Sequence, residues 1–374
     1  MNTRKGDIPN TRPLHKNITG LLSMGFALLS CMTPASANEN VRHIAVDPAA
    51  TVTPASSEST AEAGPPTDRN LTEDQLSEGI QGALGMGPGV DAVGDAGHPF
   101  TTKRASAMDS HSPTDEYPWS ATGKLFMTFG NSQFVCTASV IRKGLLVSAA
   151  HCVHNFGQEE AGFADALTFE PARHEFARPF GTWTASQWWI PQSYFDGSDT
   201  CLPEAPGVVC ENDVAVIAIA PQQGTYIGDI TGMYDFNDGV DGNGYGYVDF
   251  LGEKSTQITQ LGYPSADFDG DKMIRTDSLG YQDSPGNVVI GSNQTGGSSG
   301  GPWLQNFGVN SSFGGTPATD DLPNQVVATT SWGFTSDTVK LQGASRFSKN
   351  STYTTKSNIR SLVDEACETI PDHC

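Results

Sequence analysis

The chain has 374 residues, 37% of them apolar, with 42 acidic against 21 basic side chains and a formal net charge of −21. That length allows one large or two medium domains with a real core, and 41 glycines with 23 prolines stay below the roughly 25–30% that marks low-complexity or collagen-like chains. The acidic excess excludes a general nucleic-acid binder, because nothing would neutralise phosphates; it speaks to solubility and says little about fold.

Residues 1–37 read as a secretory signal. Arg4, Lys5, Arg12 and Lys16 precede an apolar stretch at 18–32, and Ala35-Ser36-Ala37 follows as an A-x-A cleavage pattern. The stretch is short of the ~20 residues a membrane span needs, and no later run reaches that length, so a secreted, extracellular or periplasmic protein is expected. Leu28-Leu29-Ser30-Cys31 offers a second reading, a lipoprotein box that would lipidate Cys31; Leu29 fits it poorly and Ala35-Ser36-Ala37 competes with it. Loss of Cys31 leaves Cys136, Cys152, Cys201, Cys210, Cys367 and Cys374, an even set that predicts three disulfides in an oxidising compartment. Many pairings are formally open, and proximity favours Cys136–Cys152, Cys201–Cys210 and Cys367–Cys374.

Over residues 38–104 the composition turns to Ala, Pro, Ser, Thr, Glu and Gly without sustained periodicity, which reads as a largely flexible pro-segment. Inside it, Thr72 and Gln75 form a capping-box pattern ahead of Leu76, Ile80 and Leu84 at helical spacing, weakened by Gly79 and Gly82. This is either a helix that docks on the following domain or a solvated linker. From Tyr117 onward, β-rich runs at 125–129, 134–141, 145–149, 214–220, 257–263, 288–291 and 326–332 alternate with Gly, Pro, Asn and Asp clusters. Many short strands with turn signals predict an all-β sandwich or barrel. A helix is predicted only near the end, where Ser357 can cap a run that places Ile359, Leu362, Val363 and Ala366 on one face.

Two acidic loops, Asp235 to Asn243 and Asp267 to Asp271, raise a calcium reading. Neither completes an EF-hand, since the twelfth position from Asp267 is Ser278. Solvated turns are the simpler reading, and no cofactor is expected. His151 and His154 have no third ligand spaced to join them in a metal site, so no metal is expected, and His154 reads as a loop residue.

Three segments carry chemistry. Ser148-Ala149-Ala150-His151-Cys152 ends one run, and a histidine alone is more often structural. Asn212-Asp213-Val214-Ala215-Val216-Ile217 sets an acid at the mouth of an apolar strand, a costly place for a carboxylate unless it is hydrogen-bonded. Thr295-Gly296-Gly297-Ser298-Ser299-Gly300-Gly301-Pro302 gathers glycines that let backbone N–H groups converge on one point, as an oxyanion hole requires. A serine hydroxyl needs an imidazole to take its proton and a buried acid to orient that imidazole; Ser299, His151 and Asp213 supply the three types. The same serine segment also matches the Gly-x-Ser-x-Gly elbow of the α/β-hydrolase esterases. That elbow leads into a helix and is followed by an acid and then a histidine, whereas here Gly300, Gly301 and Pro302 oppose a helix and the only later histidine is His373.

In this order the three motifs resemble the chymotrypsin/trypsin-like serine peptidases. Tyr117-Pro118-Trp119, Ser331-Trp332-Gly333 and the terminal helix extend the resemblance over roughly Ala105 to Cys374. The resemblance implies two antiparallel Greek-key β-barrels with a C-terminal α-helix, and a peptidase domain over 105–374 with its cleft between the barrels. It implies a monomeric serine endopeptidase acting on polypeptides through an acyl-enzyme: Ser299 attacks, His151 is base and then acid, Asp213 orients it, and the N–H groups of Gly297 and Ser299 form the oxyanion hole. Ser331, Trp332 and Gly333 would bind an extended peptide along their backbone, and Cys136–Cys152 would brace the histidine loop. Asn293, Gln294 and Thr330 would line a specificity pocket that Gly333 and Gly343 leave open. In the trypsin-like pattern an Asp before the nucleophile pairs with a new Ile-Val amino terminus. Ser298 stands at that position here, and the corresponding terminus falls near Ala105, just after Lys103-Arg104. Bacterial glutamyl-endopeptidase-like members, which lack that Asp, are therefore nearer, although Thr330 replaces their pocket histidine. Asn293 stands where trypsins carry an Asp, so a preference for Arg or Lys is not implied. The alternative is a non-catalytic binding or adhesion module on the same fold.

Overall fold

The computed structural model describes residues 39–48, 62–63, 98–105, 113–238, 248–250, 253–283, 286–308, 322–334 and 339–374. The signal segment, Cys31 and the helical pattern at 72–84 lie outside the described residues.

Three short strands come first: β1 (Val41–Ala45), β2 (Glu62–Ala63) and β3 (Phe100–Arg104). β4 (Thr122–Phe129), β5 (Ser132–Arg142), β6 (Leu145–Ser148), β7 (Ala166–Pro171), β8 (Trp183–Pro191) and β9 (Ala215–Ile219) then close a ring in the order β4-β5-β6-β9-β8-β7. After β10 (Asp235–Phe236) and β11 (Val248–Phe250) comes a second ring, formed by β12 (Glu253–Gly262), β13 (Ile274–Asp283), β14 (Asn287–Gly291), β15 (Pro302–Gln305), β16 (Gln325–Gly333) and β17 (Leu341–Arg346). It closes in the order β12-β15-β16-β17-β14-β13. The result is two closed six-stranded antiparallel barrels, the architecture that the motif order implied. Each ring strand has a paired ring neighbour on both sides over part of its length, and the stretches of β8 and β13 that β7 and β14 leave unpaired take up β1 and β3.

Barrel one is filled by Leu125, Val140, Leu146, Phe169, Trp188 and Val216; barrel two by Ile258, Val288, Ile290, Trp303, Val327 and Ala344. β9, Ala-Val-Ile-Ala-Ile, is buried at every position, which is why it reads as an unbroken apolar run and not as an alternating one. The helix Asn358–Thr369 forms where expected: Ser357 Oγ accepts the Arg360 N–H at 3.1 Å, and Ile359, Leu362, Val363 and Ala366 are buried. The three disulfides are Cys136–Cys152, Cys201–Cys210 and Cys367–Cys374, the pairing that proximity favoured.

Three pieces of the 38–104 region are strands of the barrel sheets: β2 pairs parallel with β5 from Glu62↔Phe134 to Ala63↔Val135, and the two longer ones, β1 and β3, pair antiparallel. β1 pairs antiparallel with β8 from Val41↔Pro191 to Ala45↔Gln187, and β3 pairs with β13 from Phe100↔Ser278 to Arg104↔Ile274. Neither Val-Arg-His-Ile-Ala nor Phe-Thr-Thr-Lys-Arg signals a strand by itself. Each gains its order by adding to an existing sheet edge, where main-chain bonds supply most of the stabilisation. Ala105 continues β3; it is 4% exposed and its N–H donates to Met273 O at 2.9 Å.

His154 follows the histidine turn and is fully buried. Its ring lies among Phe163, Tyr194 and Phe195, with Nε2–H donating to Glu159 O at 2.7 Å. Burial pushes its pKa down to about 4. An unfolded imidazole takes up its proton near 6.5, so between about pH 6.5 and 4 the unfolded state binds a proton that the folded state refuses. Stability present above that window is therefore lost as pH falls, by up to about 3 kcal/mol for this group. Urea unfolding at pH 7 and 4.5 is expected to show the drop, and His154→Gln, which cannot charge, is expected to flatten that part of the profile. An unchanged profile in the variant would assign the acid sensitivity to other groups.

Candidate active site

β6 and β9 are neighbours, with Ser148 opposite Ala215. The turn that leaves β6 and the residue that enters β9 therefore meet at one end of barrel one. His151 lies in that turn, Ala150–Cys152, which the Cys136–Cys152 bond ties back to β5. His151 Nδ1 is 2.7 Å from Asp213 Oδ2, and the His151 backbone N–H donates to Asp213 Oδ1 at 2.8 Å. Both side chains are fully buried. With Nδ1–H directed at the carboxylate, the neutral ring carries its lone pair on Nε2.

Further groups hold the carboxylate. Ser331 Oγ reaches both Asp213 Oδ2 and Val208 O. Ser331 sits at a register shift between Thr330 and Trp332 in the β16–β17 ladder, and such a bulge re-aims a side chain. Asn212 anchors the acid from behind. Its N–H and Nδ2 donate to Asp199 at 2.8 and 2.6 Å, and its Oδ1 accepts from Asn350 Nδ2 at 2.7 Å and Asn358 Nδ2 at 3.2 Å. Burial raises the Asp199 pKa to about 6 in spite of these bonds.

Ser299, 6% exposed, stands in the loop that enters β15. Gly297 has φ +95° and Gly300 φ +76°, conformations that favour glycine. A Cβ on Gly300 would stand 2.0 Å from Ser148 Oγ. The loop thus presses Gly300, the neighbour of Ser299, onto the strand end that leads to His151. β5 of barrel one grips the same loop: Thr137 N–H donates to Ser299 O at 2.7 Å and Thr137 Oγ1 to Gly297 O at 2.9 Å. Two further bonds orient peptide planes. Gly296 O accepts from Ser265 N at 2.8 Å, and Ser298 O accepts from Gly301 N at 2.9 Å. In a trans peptide the N–H points opposite to the carbonyl, so the N–H groups of Gly297 and Ser299 face away from these acceptors. Because Ser299 leads into a strand and His373 packs against Tyr226 and Gly144, the esterase elbow is absent.

The expected pocket residues divide. Thr330 is buried, its hydroxyl accepting from Gln260 Nε2 and Trp303 Nε1, both at 2.9 Å. Gln294 Nε2 donates to Thr276 Oγ1 at 3.1 Å. The acceptors of this set left without a partner among the described residues are Asn293 Oδ1 and Gln294 Oε1. Trp332 Nε1 donates to Asn287 Oδ1 at 2.7 Å, and its indole covers Gly343, where a Cβ would stand 1.9 Å from the ring. Gly343 therefore makes room for Trp332, which occupies space the sequence left open. A Cβ on Gly333 would stand 3.3 Å from the Gln342 side chain.

Three of the described acids in the two acidic loops meet protein cations: Asp271 Oδ1 takes Lys124 Nζ at 3.2 Å and Arg173 Nε at 3.0 Å, Asp238 Oδ2 takes Arg360 Nε at 2.7 Å, and Asp235 Oδ1 lies 3.6 Å from an Arg142 guanidinium nitrogen. Residues 239–247 lie outside the described set. The close groupings of metal-type donors among the described residues are Cys136, His151 and Cys152, and Asp199, Cys201 and Cys210. Each contains both sulfurs of a disulfide and hence no thiolate for an ion.

Sequence reasoning singled out Ser331 only for its backbone and passed over Thr137, Asp199, Asn212 and Ser265. A polar residue beside a motif is a weak signal, and only its distant partner reveals its use.

Among known proteins, the family model described as Trypsin matches residues 109–350. The solved protease Anisep from Arthrobacter nicotinovorans is 20% identical with a TM-score of 0.51, over 72% of this chain and 100% of that one. The thermostable serine protease AL20 from an extremophilic microorganism is 23% identical with a TM-score of 0.48, over 65% and 97%. A Glu endopeptidase is 16% identical with a TM-score of 0.46, over 72% and 95%. An extracellular metalloprotease of Bacillus subtilis (strain 168) is 28% identical over 91 residues, 24% of this chain and 28% of that protein. The match thus spans little more than a quarter of that relative's length. With the Trypsin model matching well over half of its residues, on a double barrel of the same fold as Anisep, this chain belongs to the trypsin family.

Proposed function

We propose that the protein is a secreted serine endopeptidase that hydrolyses polypeptides through Ser299, His151 and Asp213. The observation that carries the reading is the buried His151–Asp213 pair, bonded at both Nδ1 and the backbone N–H, beside a glycine loop with two peptide N–H groups turned away from satisfied carbonyls. Ser299 Oγ attacks the scissile carbonyl carbon as His151 Nε2 takes its proton. The N–H groups of Gly297 and Ser299 hold the oxyanion. The imidazolium, stabilised by Asp213, returns the proton to the leaving amine, and water repeats the sequence to release the acyl group. Ser331 to Gly333 would pair with the substrate backbone.

The test is digestion of a denatured protein or peptide library by the secreted chain, with products read by mass spectrometry. Internal cleavage, abolished by a fluorophosphonate and retained with a chelator, is expected. No cleavage would favour a binding module, and loss with the chelator alone would favour metal chemistry.

Processing is proposed between Arg104 and Tyr117. A cut after Arg104 requires the end of β3 to leave β13, because the Ala105 N–H is bonded to Met273 O; a cut farther along leaves β3 in place. Amino-terminal sequencing of active protein is expected to start within residues 105–117. A start between residues 46 and 98 would mean that β3 is covalently retained without β1, and a start at or before residue 41 that β1, β2 and β3 are all retained.

A further inference from the structure

Behind the Ser299 loop lies a set of buried, uncharged amides and hydroxyls. Gln342, on β17 and 3% exposed, gives both Nε2 hydrogens to this loop: to Gln294 O at 2.8 Å and to Ser298 Oγ at 3.2 Å. Its Oε1 accepts from Gln260 Nε2 at 2.6 Å. Gln260, fully buried on β12, donates its second hydrogen to Thr330 Oγ1 at 2.9 Å and accepts from Ser292 Oγ at 2.7 Å. Ser298 Oγ donates onward to Thr295 O at 2.7 Å, and Ser292 Oγ accepts the Gln294 N–H at 3.2 Å. The loop is thus held from Ser292 to Ser298 by two glutamines on different strands, and the orientation of the Gln342 amide is fixed because Gln260 donates to its oxygen.

We propose that Gln342, oriented by Gln260, is a positioning residue that sets the loop conformation from which the Gly297 and Ser299 N–H groups are presented. The proposal rests on the serine-peptidase reading above. Without the Gln342 donors, Gln294 O is a buried carbonyl lacking these bonds and Ser298 Oγ loses one partner, so the loop is driven to find other acceptors and donors. A peptide rotation anywhere from Gly296 to Ser299 withdraws an oxyanion donor and penalises the transition state more than the bound substrate.

Gln342→Met keeps the length and removes every bond; Gln342→Glu keeps the shape and the acceptor but brings no donor at neutral pH. Both are expected to lower kcat by about 10- to 100-fold, with KM changed less than about three-fold and affinity for a peptide boronate falling with kcat/KM. Ser298→Ala, a smaller change, is expected to lose several-fold in kcat and keeps the proposal testable if the Gln342 variants do not fold. Folded Gln342 variants with kcat within two-fold of the wild type would overturn it. So would a loss shared equally by kcat, KM and melting temperature, which is what general loosening gives. A wild-type protein that neither cleaves peptides nor reacts with fluorophosphonate removes the peptidase reading and this proposal together, whereas an active wild type beside fully active variants removes the proposal alone.

Discussion

Replacing Ser299 with alanine is expected to lower kcat for peptide hydrolysis by about 10⁴- to 10⁶-fold, the scale seen for this catalytic constellation in serine peptidases generally. The fold should not change. The main-chain bonds that hold the residue, Thr137 N–H to Ser299 O and Gly300 N–H to Thr330 O, do not involve the hydroxyl, so the melting temperature should stay within about 2 °C. His151→Ala is expected to lose a similar factor, and the double variant little more, because the two residues act as one unit. Steady-state rates and a thermal melt on the same preparations decide the matter. A tenth of wild-type activity in Ser299→Ala would contradict the assignment.

The second large effect is Asp213→Asn, with an expected loss of about 10⁴-fold in kcat, again the scale of this chemistry. The geometry says why an isosteric amide fails. The His151 backbone N–H needs an acceptor at the Oδ1 position, so the amide oxygen stays there and the NH₂ group takes the Oδ2 position, facing His151 Nδ1. The ring must then accept at Nδ1 and carry its proton on Nε2, the tautomer that cannot take a proton from serine. Kinetics of the variant with KM near the wild-type value and kcat collapsed is the expected pattern. Retention of activity would mean that Asp213 does not set the tautomer.

Legibility in the sequence followed the range of the interactions. The grouping of His151 with Asp213 is readable from their residue types and the motifs that carry the family resemblance; that the apolar runs they flank pair in the sheet is visible only in the structure. The disulfides are readable because each closes a short loop, and the terminal helix because its cap and apolar face are local. β1 and β3 were not, since their stabilisation is backbone pairing to strands far along the chain. The glutamine pair was not either: Gln260 and Gln342 lie 82 residues apart, Gln260 alone is a polar residue in a β-rich run, and Gln342 falls in a strand, β17, that the sequence does not signal. Ser331 was read for its backbone because the bulge that turns its hydroxyl onto Asp213 depends on the register of β16 against β17. Gly343 suggested open space, and the indole of Trp332 fills it.

The central claim is that Ser299 is an activated nucleophile served by His151. Its most direct measurement is reaction of the folded protein with a fluorophosphonate, followed by peptide mass spectrometry of the labelled product. One equivalent of label on Ser299, absent in Ser299→Ala and greatly slowed in His151→Ala, is the predicted result; no labelling of the folded protein, or labelling at another residue that persists in Ser299→Ala, would contradict it.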